Sequence, residues 1–170
     1  MNFLRLVLMN GLCNLTAAAL CSCSAPSSAP VDQPIQYNHS LHVQQEEMDC
    51  VECHVNALTQ ARATIPNIGV CGDCHSGEPM TDSPEERKLI EYVDAGTPIP
   101  WRKVHRVPMH VHFSHARHTA VAEIECSECH GEVQEMTRPF TQPAIPQDMD
   151  RCLMCHKERG VTTDCVACHR

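Results

Sequence analysis

Ten of the 13 cysteines fall into five copies of one spacing, Cys-x-x-Cys, and each copy is followed directly by histidine. They are Cys50, Cys53 and His54; Cys71, Cys74 and His75; Cys126, Cys129 and His130; Cys152, Cys155 and His156; and Cys165, Cys168 and His169. Cys-x-x-Cys-His is the attachment pattern of c-type haem. Two thiols a helical turn apart can add to the two vinyl groups on one porphyrin edge. The histidine that follows then ligates the iron from the proximal side. Zinc ribbons also use Cys-x-x-Cys pairs, but they do not need histidine after every second cysteine. Disulfides that staple a secreted domain leave the five histidines without a role. The expectation is five covalent haems c, with the ten cysteines as attachment points and His54, His75, His130, His156 and His169 as proximal ligands.

Twelve histidines are present, so seven remain after the proximal five: His39, His42, His105, His110, His112, His115 and His118. His-x-x-His holds two imidazoles on one face, about a helical turn apart, from where they can splay to two different haems. His39, His42, His115 and His118 are the expected distal ligands, with His105 as the fifth. His110 and His112 read as packing or propionate-contacting residues. Met149, shortly before Cys152, carries a thioether that could replace histidine at one haem and raise its potential. Six-coordinate iron leaves no position for a substrate, so the expected role is electron transfer, with no catalytic residue. The alternative is a reductase of nitrite, a sulfur oxyanion or a metal ion. It would need an open haem, and no Cys-x-x-Cys-Lys marks one. A haem-based sensor would need a signalling domain, and none is present.

The positioning elements come in two copies. Tyr37-x-His39-x-x-His42 precedes Cys50 with seven residues between, and Phe113-x-His115-x-x-His118 precedes Cys126 with the same seven. Each unit then carries a second attachment motif, at Cys71 and at Cys152. The expected organisation is a dihaem module over residues 36–80, a joint over 81–108, a second dihaem module over 109–157 and a terminal haem over 158–170. In the joint, Ser83 to Val93 predicts a helix, with Ser83 as N-cap, Pro84 first, and Glu85 and Glu86 in the first turn. Pro98, Pro100 and Pro108 predict extended chain after it. No strand pattern is evident. The expected fold class is mainly α with long loops, a haem-cored multihaem cytochrome with little or no sheet.

Composition leads to the same core by a separate route. From Cys23 onward, Leu, Ile, Val and Phe make up 26 of 148 residues, about 18%, below the fraction at which a chain ordinarily packs its own core. One Trp, two Tyr and three Phe add little, whereas five porphyrins would fill the interior. The net charge of −8, with acidic loops at Glu46, Glu47, Asp49, Glu52, Asp73, Glu123, Glu125 and Glu128, argues against nucleic acid. It fits redox partner proteins with a positive docking face, and it equally serves solubility.

Residues 1–22 read as a secretory signal of lipoprotein type, with Arg5 in a short charged region and a mostly apolar run from Leu6 to Leu20. Leu20-Cys21-Ser22-Cys23 resembles a bacterial lipobox, which makes Cys23 the expected lipidation site. Cleavage near Ala25 to Ala29, or an uncleaved anchor, are the other outcomes. Each puts the remainder on the periplasmic side of the membrane. Residues 23–35 read as a Ser/Pro-rich linker.

With these motifs in place, the F/Y-x-H-x-x-H-x7-C-x-x-C-H unit resembles class III multihaem cytochromes c. The chain is more closely similar to the pentahaem cytochrome subunit of bacterial alternative complex III, a quinol-oxidising respiratory complex. The similar segments are Asn38 to His54, Thr81 to Pro84 through Gly96 to Ile99, Trp101 to Pro108, Val111 to Gly131, and Met149 to His156, with Cys165 to His169 closing the chain. The resemblance implies a relay between a respiratory complex and a downstream acceptor. It also implies partners of iron–sulfur/molybdopterin type and quinol-binding membrane subunits. The chain departs from that subunit in the short segment between His156 and Cys165, in His112 where an aromatic is expected, and in a lipobox-like site where a membrane anchor is expected.

Overall fold

The architecture follows from short helices at or beside the attachment motifs and one longer helix between the two repeats. The structure, a computed structural model, describes residues 30–169. The expected signal segment and Cys23 lie outside the described residues. The α-helices are α1 (Cys50–Cys53), α2 (Ile68–Cys71), α3 (Pro84–Asp94), α4 (Ser127–His130), α5 (Met149–Glu158) and α6 (Cys165–Cys168). Two π-helical turns, Leu41–Gln45 and Arg117–Val121, and a 3-10 turn, Val133–Glu135, complete the regular structure. No strand occurs among the described residues, where one isolated antiparallel bridge joins Val111 to His169. Among the same residues, no helix is long and apolar enough to cross a membrane. The fold is mainly helix and loop without sheet, as the sequence leads one to expect.

The two repeats fold alike. In the first, the Glu46 amide donates to Leu41 O at 3.1 Å and the Met48 amide to His42 O at 3.0 Å. In the second, Ala122 donates to Arg117 O at 3.1 Å and Ile124 to His118 O at 3.0 Å. Each π-helical turn is followed by a left-handed residue at the matching position, Glu47 at φ 55° and Glu123 at φ 51°. The repeats also grip each other reciprocally. Ser40 N donates to Met136 O at 2.9 Å, and Ala116 N, its counterpart, donates to Gln60 O at 3.0 Å.

The joint is tied to both modules. Helix α3 starts where Ser83 Oγ accepts from the Glu85 amide, with Pro84 in the first turn. Helix α2 packs on α3, and a Cβ at Gly72 would lie 3.3 Å from Val93 Cγ1 and 2.8 Å from Ile68 O. Asn67 caps α2, and its side chain also accepts from Ile99 N at 2.8 Å and donates to Ile99 O at 3.1 Å. Trp101 Nε1 donates to Pro66 O at 2.9 Å.

Gln33 takes both backbone groups of Arg102 and reaches Phe140 O, while Ile35 is 5% exposed. The end of the Ser/Pro-rich stretch is therefore laid against the joint and the second module. Ile35, Ala57, Ile90 and Ile99 are the buried apolar side chains among the described residues, and none of them is wholly enclosed. So small a set cannot serve as the core of a chain this long.

Candidate haem sites

Each attachment motif is a short helical turn whose histidine closes it. His54 N donates to Cys50 O at 2.8 Å, His75 N to Cys71 O at 2.8 Å, His130 N to Cys126 O at 3.0 Å, and His169 N to Cys165 O at 2.8 Å. In α5 the motif of Cys152, Cys155 and His156 lies within a longer helix capped by Asp148. None of the ten motif cysteines is tied up in a disulfide. Burial, above all, pushes Cys53, Cys71, Cys126, Cys129 and Cys152 up from the ordinary thiol value. Cys50 stands beside Cys126, where it adds to that rise, so the first motifs of the two repeats meet at matching positions.

The proximal imidazoles are oriented through Nδ1. His54 donates to Thr64 O at 3.0 Å and His156 to Thr162 O at 2.8 Å. His75 Nδ1 lies 3.2 Å from Glu86 Oε1, and His130 Nδ1 lies 3.4 Å from His105 Nε2. Occupying Nδ1 leaves Nε2 with the free lone pair, the arrangement usual for a metal-ligating histidine. The repeat histidines are held in the same way, His42 to Asn38 O at 2.9 Å and His118 to Ser114 O at 2.7 Å. Tyr37 stacks on His42 at 4.5 Å between centroids and meets His39 edge-on at 4.7 Å. Phe113 does the same with His118 at 4.7 Å and His115 at 4.9 Å.

Imidazoles also come together in pairs. Centroids are 6.1 Å apart for His42 and His75, 6.2 Å for His118 and His156, and 6.4 Å for His115 and His130. With metal–imidazole bonds of about 2.0 Å and a ring nitrogen about 1.1 Å from its ring centre, two imidazoles across one metal have centroids about 6.2 Å apart. The residues present therefore fit a group that needs two axial imidazoles and two thiols, which is haem c. No set of three His, Cys, Asp or Glu side chains among the described residues is arranged to hold a metal ion by itself.

Two histidines stand elsewhere than the sequence leads one to expect. His105 lies on the Nδ1 side of His130, edge-on at 4.5 Å, and packs against Phe140. His110, read from sequence as a packing residue, is stacked opposite His169 at 5.5 Å. The bridge between Val111 and His169, with His112 N donating to Cys168 O at 2.7 Å, holds His110 there. No local spacing signals this, because the pairing depends on the chain's last segment folding back on residues 110–112. Met149 begins α5 and is 62% exposed.

His39 packs at the interface of the repeats, with Phe140 of the second repeat 6.5 Å away. The buried Nδ1 atoms of His39 and His105 have no hydrogen-bond partner. Burial, aided by His54 and His42, lowers His39 to about 4. Burial, aided by His105, His115 and His54, does the same to His130. His105 is lowered by burial and by His115. All three are therefore neutral at ordinary pH, the form that can ligate a metal.

Repeated thiol pairs, paired imidazoles and a minimal polypeptide core among the described residues define a multihaem c-type cytochrome. A family model described as cytochrome c7 and related cytochrome c matches residues 35–89. The chain is 30% identical over 162 residues to the multihaem cytochrome c subunit of menaquinone reductase from Nitratidesulfovibrio vulgaris, covering 82% of this chain and 77% of that one. It is also 21% identical over 136 residues to the high-molecular-weight cytochrome c of the same organism, covering 71% of this chain and 22% of that protein. The chain belongs to the multihaem cytochrome c family, whose members bind haem c covalently.

Proposed function

We propose that this chain is a periplasmic electron-transfer subunit that carries five haems c and works within a quinone-linked respiratory complex. Haem c supplies a one-electron iron couple, and the chain's residues hold, orient and tune it. Cys50 and Cys53, Cys71 and Cys74, Cys126 and Cys129, Cys152 and Cys155, and Cys165 and Cys168 are the attachment pairs, each followed by its proximal histidine. His42 with His75, His118 with His156, and His110 with His169 would be the imidazole pairs that hold three of the haems. His39 and His115 serve the first haems of the two repeats. His105 orients His130 instead of ligating iron.

The observation that carries this reading is the recurrence of imidazole pairs with ring centres 6.1, 6.2 and 6.4 Å apart. Two imidazoles per iron would exclude substrate and leave electron exchange as the available chemistry. The similarity to a menaquinone reductase subunit and the resemblance to the alternative complex III cytochrome both support a quinone-linked partner. They differ in whether electrons run into the quinone pool or out of it. Purification of the native complex, followed by mixing with menaquinone and with menaquinol, tests this. Oxidation of the haems by menaquinone supports the first direction, and reduction by menaquinol supports the second. A preparation that reacts with neither and contains high-spin haem sinks the reading.

A further inference from the structure

The second attachment motif differs from the others in what its histidine touches. His54 and His156 donate to neutral backbone carbonyls, and His130 meets a neutral imidazole. His75 meets Glu86, which is 8% exposed. Glu86 sits three residues after the N-cap Ser83, where a glutamate ordinarily turns back to the N-cap amide. Here the Ser83 amide donates instead to Thr81 Oγ1 at 3.1 Å, which frees Glu86 for other donors.

Glu86 Oε1 accepts from Met80 N at 2.9 Å and faces His75 Nδ1 at 3.2 Å. Oε2 accepts from Thr81 N at 2.8 Å and from Thr81 Oγ1. With His75 ligating through Nε2, its Nδ1 carries the proton, so two backbone amides, the Thr81 hydroxyl and the His75 N–H fill the roughly four lone-pair positions of the carboxylate. Glu86 is therefore an anion that shares the His75 proton.

We infer, resting on the haem reading above, that Glu86 is a positioning residue that gives His75 imidazolate character and makes the haem on Cys71 and Cys74 harder to reduce than it would be with a carbonyl partner. An anionic acceptor at Nδ1 raises the basicity of the ligating nitrogen. A more basic ligand favours ferric over ferrous iron, because the ferric form carries one more positive charge. Burial keeps the charge from being screened by solvent. The balance involves one electron and no proton, since the His75 proton stays between Nδ1 and Oε1. Glu86 thus sets one step of the relay apart from its neighbours.

The alternative role for Glu86 is purely mechanical, as a staple for the turn at Met80 and Thr81. Redox titration of the holoprotein, followed by optical and electron paramagnetic resonance spectra, separates the two. Glu86→Gln is expected to raise one midpoint by about tenfold in equilibrium, which is about 59 mV for one electron, with all haems still attached and low-spin. Glu86→Asp, which draws the carboxylate back by one methylene, is expected to raise the same midpoint by less. Thr81→Val breaks the staple but leaves the His75 contact, and is expected to lower thermal stability without moving a midpoint. The moving component is assigned by combining Glu86→Gln with His42→Ala, in which the second haem is marked by its high-spin signal. Unchanged midpoints in Glu86→Gln, or an equal shift in Thr81→Val, overturn the inference. Peptide mapping of the unmutated protein that finds no haem on Cys71 and Cys74 would instead overturn the haem reading.

Discussion

His110 stands 5.5 Å from His169, ring centre to ring centre and tilted by 20°, because the chain end pairs with residues 110–112. His105 lies instead beside Nδ1 of His130. The two histidines should therefore respond differently to removal. His110→Ala is expected to convert one haem to a high-spin form that binds carbon monoxide when reduced. His105→Ala is expected to leave every haem low-spin while shifting the spectrum or potential of the haem on Cys126 and Cys129. A carbon monoxide complex in His105→Ala, with none in His110→Ala, would reverse the assignment.

The matched geometry of the repeats predicts matched phenotypes. His42→Ala and His118→Ala should each open one haem, with all covalent attachments retained. The double variant should open two, since His75 and His156 are separate partners. Magnetic circular dichroism counts the high-spin haems directly. A single variant that opens both sites would show that the modules are not independent.

Intact-mass measurement of the matured protein should show five haem additions that survive acid–acetone extraction. Changing Cys165 and Cys168 to Ser together should give four additions. The other four sites should stay filled, although Cys168 stands beside Cys152, because the backbone pairing of the terminal motif is with Val111 and His112 and its ring pairing with His110.

Without haem, the chain should not fold cooperatively. The buried apolar set among the described residues, Ile35, Ala57, Ile90 and Ile99, is too small to offset the ordering of their backbone, about 1–2 kcal/mol per residue. Calorimetry of protein made in cells lacking the haem-attachment machinery should show no unfolding transition, whereas the holoprotein should show one. A sharp transition in the haem-free chain would contradict a haem core.

Cys23 precedes a Ser/Pro-rich run and closes a lipobox-like tetrapeptide. Two acyl chains suffice for stable membrane attachment, so Cys23→Ser should move the cytochrome from the membrane fraction to the soluble periplasm. Identical fractionation of the two forms would remove the lipid anchor.

The cytochrome class was legible locally, and the reason is covalent spacing. Cys-x-x-Cys-His carries its ligands within five consecutive residues, so no tertiary contact is needed to recognise it. The duplicated His-x-x-His units, the N-cap at Ser83 and the absence of strands among the described residues are equally short-range, and their geometry recurs in the folded chain. The tertiary structure decided which groups far apart along the chain meet. His110 and His169 are brought together by a bridge between chain segments, Cys50 reaches Cys126 across the repeats, and Glu86 turns away from its own helix start toward His75. Each of these meetings depends on how loops close around a shared interior. Loop closure is governed by distant hydrogen bonds such as those of Gln33 and Asn67, which no spacing in the sequence encodes.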